Sequence, residues 1–151
     1  MSVEDKLAEL GFSVPEVAKP VAAYIPAVLS GNHIYTSGQL PMRSGQLITT
    51  GKVGGSVTPE QAVECAQQCA LNALAAIKSE IGSLESVKRV VKVVCFVASV
   101  PEFTGQPQVA NGVSELLGAV FGDAGVHARS AVGVPVLPLD APVEVELIVE
   151  V

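Results

Sequence analysis

The C-terminal quarter of the chain alternates between apolar and polar residues. From Pro142 onward, apolar residues occupy every second position and glutamates occupy several of the positions between them, which is the period-two pattern of a strand with one buried face. The apolar set is Val143, Val145, Leu147 and Val149. The stretch 127–151 therefore predicts two extended segments joined at Leu-Pro-Leu-Asp, residues 137–140, as a terminal hairpin.

A long amphipathic helix is predicted between Thr58 and Gly82. Thr58 is a suitable N-cap, Pro59 fits the first helical position, and Gln61 completes a capping box. Three- and four-residue steps define an apolar stripe of Val63, Ala66, Ala70, Ala73, Ile77 and Ile81. The residues predicted to lie largely off that stripe, on the water-facing side, are Glu60, Glu64, Gln67, Gln68 and Lys78.

The remaining elements complete a mixed pattern. We expect a short helix over 3–10, a hairpin formed by 24–29 and 33–40, and a loop over 42–57 with a short strand at 46–49. A strand over 87–100 and a second helix over 108–121 precede the terminal hairpin. The order ββ(β)αβαββ predicts an α+β fold with a mixed or antiparallel sheet and two main helices on one face.

The other face of that sheet lacks a partner. Val93 to Ala98 is apolar at every position, which is typical of a strand covered on both sides, yet the sequence predicts no further element to cover the second side. We therefore expect copies of the chain to pack sheet to sheet.

The predicted terminal hairpin also suggests a site. With the turn centred on Leu137 and Pro138, Ala131 lies opposite Glu144, and Arg129 shares their face about 7 Å along the strand. A guanidinium can hold a substrate carboxylate in a bidentate manner, while a nearby carboxylate can orient a water molecule. An ordinary surface ion pair between neighbouring strands explains the same spacing, and the pattern alone leaves both interpretations open.

Composition limits the other possibilities. A net charge of −6 without a basic cluster disfavours nucleic acid as a partner. Three cysteines without a C-x-x-C pair indicate buried packing residues in a reduced, cytoplasmic compartment, and no metal site is predicted. No signal peptide or membrane span is expected. His33 and His127 have no partner at readable spacing and are interpreted as structural.

Two separated motifs resemble the YjgF/Rid family, the reactive-intermediate (enamine/imine) deaminases once labelled translation-inhibiting endoribonucleases. The first is the stretch from Gly31 to Pro41, and the second combines Ala128-Arg129-Ser130, Leu137-Pro138 and Val143-Glu144-Val145-Glu146. The resemblance covers about residues 20–151, within a predicted single domain 1–151 that has an N-terminal extension at 1–19. Two departures are Ala131, where the family often has cysteine, and Asn111, one place from the expected asparagine.

The resemblance implies a chorismate-mutase-like subunit that forms homotrimers with a central barrel and sites in the inter-subunit clefts. Arg129 would bind the substrate carboxylate, and Glu144 with the Ala131 carbonyl would position water. Tyr24, Ser37 and Gly38 would line the cleft. The implied reaction converts 2-aminoacrylate-like enamines and imines to a 2-oxo acid and ammonia without a cofactor. A module that only binds small carboxylates is the alternative, and the acidic charge disfavours an endoribonuclease.

Overall fold

The computed structural model describes residues 1–17, 20 and 22–151. The helices are α1 (Val3–Glu9), α2 (Pro59–Ile81) and α3 (Gln106–Phe121). The strands are β1 (Ala27–Ser30), β2 (His33–Thr36), β3 (Met42–Arg43), β4 (Gln46–Leu47), β5 (Arg89–Ala98), β6 (Ala128–Val134) and β7 (Val143–Glu150). This arrangement confirms the predicted α+β class. Ala18 and Lys19, which end the predicted extension, lie outside the described residues.

Among the described residues, five strands form a mixed sheet in the order β1-β2-β7-β5-β6. Strand β6 runs parallel to β5, and the other neighbours are antiparallel. The first predicted hairpin is confirmed by the pairing of β1 with β2. The predicted terminal hairpin is wrong, because β5 lies between β6 and β7 and pairs with both. Alternation predicted β7 correctly, but it carries no information about which strand lies beside it.

The two long helices begin and end close to the predicted residues. Thr58 and Gln61 form the predicted capping box, and Gly82 ends α2 in a left-handed conformation with φ +80°. Helix α2 is more deeply buried than its pattern predicts, because every residue from Gln68 to Ile77 is buried. The expectation that Gln68 faces water is therefore wrong: it is only 6% exposed. The reason is that α2 contacts α3, the sheet and the β3–β4 hairpin on different sides.

The helices cover one face of the sheet. Alternate residues of β5 and β7, such as Val93 and Leu147, are buried in one core cluster with α2 and α3, and Leu7 of α1 belongs to the same cluster. On the other face, Leu137 and Ala141 pack at one end of the sheet in a small second cluster. Beyond that end, no helix among the described residues lies over this second surface, which we call the open face.

The open face is largely apolar and partly exposed. Val28, Tyr35 and Val132 remain 44–48% exposed, and Val94 and Ile148 are half-buried. The structure agrees with the inference that nothing in the described chain covers this surface. The packing of a second copy against it stays a prediction.

Candidate functional site

The structure separates the two side chains that the sequence was expected to bring together. Val93 of β5 pairs with Arg129 on one side and with Leu147 on the other, and Val93 and Leu147 are buried beneath the helices. Arg129 therefore lies on the helix-covered face. Phe96, three residues further along β5, pairs with Glu144. Because faces alternate along a strand, Glu144 lies on the open face.

The predicted convergence of Arg129 and Glu144 within one chain is therefore wrong. One strand separates β6 from β7, and the two positions are also offset along the strands by three residues. Strand spacing and rise place their Cα atoms about 14 Å apart, with the side chains directed to opposite faces. The expectation depended on the hairpin register and failed with it.

Arg129 is half-buried and held by two side chains of α3. Its Nη1 donates to Asn111 Oδ1 at 2.8 Å and to Ser114 Oγ at 3.2 Å. No described residue accepts a hydrogen bond from Nε or Nη2. A guanidinium fixed through one nitrogen in this way keeps a two-donor edge available for a carboxylate.

Ala131 contributes backbone groups at the free edge of the sheet. Strand β6 pairs only with β5 among the described strands, and the Ser99 N–H donates to the carbonyl oxygen of Val134. In a parallel ladder successive residues turn their backbone groups to alternate sides, so the Ala131 carbonyl and N–H point away from β5. They are free to meet another molecule.

Glu144 packs against the segment that follows β2. A Cβ added to Gly38 would lie 2.5 Å from Glu144 Oε1, so the carboxyl group occupies the space that a side chain at residue 38 would need. Burial, and secondly the charge of Glu146, raise the pKa of the Glu144 carboxyl. A carboxylate with raised proton affinity is a stronger acceptor for a proton of water.

Ser37 and Tyr24 lie beside Gly38. Ser37 Oγ donates to the carbonyl oxygen of Ile25 at 2.6 Å, and the Ser37 N–H donates to the carbonyl oxygen of Pro26 at 2.7 Å. These bonds join the segment 24–26 to residues 37–38. The Tyr24 side chain is 55% exposed and therefore available to a ligand or a second chain.

Two buried amides that the sequence reasoning missed hold this region in place. Asn72 Nδ2 donates to the carbonyl oxygens of Leu40 and Met42, each at 3.0 Å. Gln68 Nε2 donates to Asn72 Oδ1, and Gln68 Oε1 accepts from Arg43 Nε. The available signal was a polar pair four residues apart within the apolar run of α2. The predicted water-facing side of α2 included Gln68, and Asn72 was not considered.

The three cysteines are buried and free, as predicted for packing residues. Burial raises the pKa of the Cys65 and Cys95 thiols to about 12 and that of the Cys69 thiol well above its ordinary value. These thiols are therefore poor nucleophiles at neutral pH.

The candidate residues thus lie in two separate groups, which we call the two half-sites of the candidate site. One, at the edge of the sheet, contains Arg129 and the Ala131 backbone. The other, which begins on the open face, contains Tyr24, Ser37, Gly38 and Glu144. In the described part of the chain, no group of three or more His, Cys, Asp or Glu side chains is placed to hold a metal ion, and no helix has the length and apolarity to cross a bilayer.

Comparison with known proteins gives one consistent family. The family model described as "YjgF/chorismate_mutase-like, putative endoribonuclease" matches residues 4–151. Protein TCP17 of Trypanosoma cruzi is 44% identical over 149 residues, covering 98% of this chain and 93% of that protein. A 2-iminobutanoate/2-iminopropanoate deaminase of Dermatophagoides farinae is 32% identical over 139 residues, covering 91% of this chain and 92% of that protein.

Solved structures agree with the sequence matches. The protein Atu1372 of Agrobacterium tumefaciens, whose function is described as unknown, superposes with a TM-score of 0.94 at 47% identity. The alignment covers 99% of this chain and 92% of that one. The fold similarity therefore extends over nearly the whole chain, including α1 and both half-sites.

Proposed function

The chain belongs to the YjgF/Rid family, and from that premise we propose that it hydrolyses reactive enamines and imines of the 2-aminoacrylate type to a 2-oxo acid and ammonia. The observation that carries the proposal is the Arg129 guanidinium, fixed through Nη1 and with its Nε and Nη2 edge unoccupied by any described residue. That edge matches the carboxylate of an imino acid.

The chemistry requires little beyond placement. Water adds to the carbon of the C=N bond, the C–N bond then breaks, and ammonia leaves while a carbonyl forms. No oxidant or reductant is needed. The protein has to hold the carboxylate and to orient one water molecule, and the second task falls to Glu144 with the Ala131 carbonyl.

The proposed active site is shared between copies of the chain. A small imino acid cannot touch Arg129 and Glu144 of one copy, because their Cα atoms are about 14 Å apart and their side chains lie on opposite faces of one sheet. No described element covers the apolar open face, and one edge of β6 pairs with no described strand. We therefore propose a homotrimer in which the edge half-site of one copy meets the open-face half-site of its neighbour.

A coupled assay tests the activity. An amino-acid oxidase or a threonine dehydratase generates the imine in the cuvette, and loss of the imine is followed with and without the protein. We expect acceleration by the wild type and at least a 10²-fold loss in Arg129→Ala, since the only proposed carboxylate anchor is removed. Arg89→Ala is the matched control, because it removes an exposed guanidinium near the start of β5, about 23 Å along the sheet from Phe96. No acceleration by the wild type contradicts the proposal.

Mixing two inactive variants tests whether the site is shared. Arg129→Ala and Glu144→Ala chains are unfolded, combined in equal amounts and refolded together. If the two residues come from different copies, random assortment restores about a quarter of the sites. If both come from one copy, the mixture stays inactive, as each variant does when refolded alone.

A module that only binds small carboxylates is the second candidate. It is favoured by the same geometry, because one chain supplies the carboxylate anchor without the Glu144 carboxylate beside it. This alternative predicts saturable binding of 2-oxobutyrate that Arg129→Ala abolishes, with no change in the rate of imine loss. Calorimetry and the coupled assay on the same preparation distinguish the two.

A further inference from the structure

A chain of hydrogen bonds leads from Arg129 to the backbone before β6. Arg129 Nη1 donates to Ser114 Oγ at 3.2 Å, and Ser114 Oγ lies 2.8 Å from His127 Nε2. On the other side of the ring, His127 Nδ1 lies 2.6 Å from the carbonyl oxygen of Gly125. Ser114 is on α3, whereas His127 and Arg129 flank the start of β6, so the chain joins the helix to the edge strand.

The chemistry of the groups determines which atom donates and which accepts in each of these hydrogen bonds. The Gly125 carbonyl can only accept, so His127 Nδ1 must carry a proton. In the neutral imidazole Nε2 is then an acceptor and receives the Ser114 hydroxyl proton. The lone pairs of that hydroxyl are left to accept from Arg129. A second proton on His127 would leave Ser114 without this acceptor and add a positive charge to a chain that ends on a guanidinium.

As a consequence, only one of the two edges of the Arg129 guanidinium can bind a carboxylate. The two protons of Nη1 are taken by Asn111 and Ser114, so Nη1 has none left for a ligand. A carboxylate can then approach only the side formed by Nε and Nη2, and not the end formed by Nη1 and Nη2. A cavity of about 320 Å³ borders this region, lined by Ser114, Gly118, Gly125, Val126, His127 and Arg129.

We infer that Ser114 and His127 are positioning residues for Arg129, which hold the guanidinium so that its Nε and Nη2 edge receives the ligand carboxylate. The inference rests on the proposed function only in assigning a carboxylate ligand to Arg129. The hydrogen-bond chain itself is a property of the unliganded protein and can be tested without a ligand.

The first experiment reads the tautomer of His127. The chain contains two histidines, so ¹⁵N labelling of histidine gives two ring systems, and His127→Gln assigns them. We expect His127 to carry its proton on Nδ1 near neutral pH, with His33 as the internal reference. A proton on Nε2 alone would make Nε2 the donor to Ser114, opposite to the expected direction, and would overturn the inference.

The second experiment compares two substitutions, each of which keeps the hydrogen bond of one ring nitrogen of His127. His127→Gln can place an acceptor near the Nε2 position for Ser114, whereas His127→Asn can reach only the Gly125 carbonyl. We expect KM for the imine, and Kd for 2-oxobutyrate, to rise about tenfold in His127→Asn and in Ser114→Ala. His127→Gln should stay within about twofold of the wild type, and kcat should change little in all three. Equal effects of Asn and Gln, or an unchanged KM in Ser114→Ala, refute the positioning role.

A ligand-free measurement separates this inference from the proposed function. In ¹⁵N-arginine spectra, rotation about the Cζ–Nη1 bond of Arg129 should be slowed in the wild type and released in Ser114→Ala. If the wild type binds no carboxylate but the slowed rotation and the Nδ1 proton are present, the proposed function has failed and the hydrogen-bond chain stands. If rotation is equally fast in both proteins, the positioning role is wrong whatever the activity.

Discussion

At the scale of single residues, the Glu144 carboxyl fits beside Gly38 only because residue 38 has no side chain. Gly38 has no positive φ, so its backbone accepts any residue, and the requirement for glycine comes only from the Glu144 carboxyl beside it. Burial is the leading cause of the raised pKa of that carboxyl. The missing side chain at residue 38 therefore leaves the space that the Glu144 carboxyl occupies.

Gly38→Ala should lower kcat/KM for the imine by about tenfold or more while leaving the melting temperature within a few degrees. The added methyl group displaces the far end of Glu144 and leaves the core untouched. A double-mutant cycle is the check: in a Glu144→Gln background, Gly38→Ala should cause no further loss. A full additional loss would show that Gly38 acts through something other than this carboxylate.

Glu144→Gln should stabilise the protein more near pH 7 than near pH 3. As pH rises, the unfolded chain releases the Glu144 proton at its ordinary pKa, whereas the folded chain retains it until its raised pKa is passed. Wild-type stability therefore declines across that window, and the glutamine variant lacks this decline. Thermal unfolding of both proteins at about pH 3, 5 and 7 measures it. A difference in melting temperature that shrinks with rising pH contradicts the assigned direction.

At the scale of elements, α2 and α3 cross closely at a glycine. A Cβ on Gly112 would lie 2.9 Å from the carbonyl oxygen of Val63 and 3.1 Å from its Cγ1. This spacing positions α3, and α3 in turn carries Asn111 and Ser114, the two residues that hold Arg129. Helix packing and guanidinium geometry are therefore set by the same contact.

Two glycine-to-alanine substitutions in α3 should have opposite effects. Gly112→Ala forces the helices apart and should lower the free energy of unfolding by about 1–3 kcal/mol. Gly118→Ala meets nothing within 4 Å and should raise it by about 0.5–1 kcal/mol, because alanine restricts the unfolded chain more and favours helix. Urea unfolding measures both, and a Gly112→Ala variant at least as stable as the wild type would show that the crossing is not tight.

At the scale of the whole molecule, the sheet has one covered and one open face. The helices bury one side in a continuous core, while Tyr35, Val94 and Val132 leave apolar surface on the other side. Burial of this apolar area against another copy would be favourable, and it is one basis of the proposed trimer.

Val94→Glu should dissociate the proposed trimer. Residue 94 lies on the open face with Glu146 as its cross-strand neighbour, so a second carboxylate adds like-charge repulsion to the loss of apolar contact. Ala119→Glu adds the same charge at an exposed position of α3 and should leave the assembly intact. Sedimentation velocity measures the assembly state of each protein. A wild type that sediments as a monomer at micromolar concentration would contradict the proposed trimer.

The elements and their order could be predicted because their signals are local. The capping box at Thr58 and Gln61, the glycine that ends α2, and the alternation from Val143 to Val149 each depend on a few neighbouring residues. The structure contains all of them close to the predicted positions. The candidate residues were found through short motifs, which are local in the same sense.

What the sequence determined by itself is therefore the three helices, every strand except β3, the buried cysteines and the family. Only the tertiary structure decided that β5 separates β6 from β7, that Arg129 and Glu144 lie on opposite faces, and that Gln68 bonds to Asn72 and Ser114 to His127. The physical reason is that a strand pattern specifies which side is buried, whereas the choice of neighbouring strand depends on long-range packing that no local pattern records.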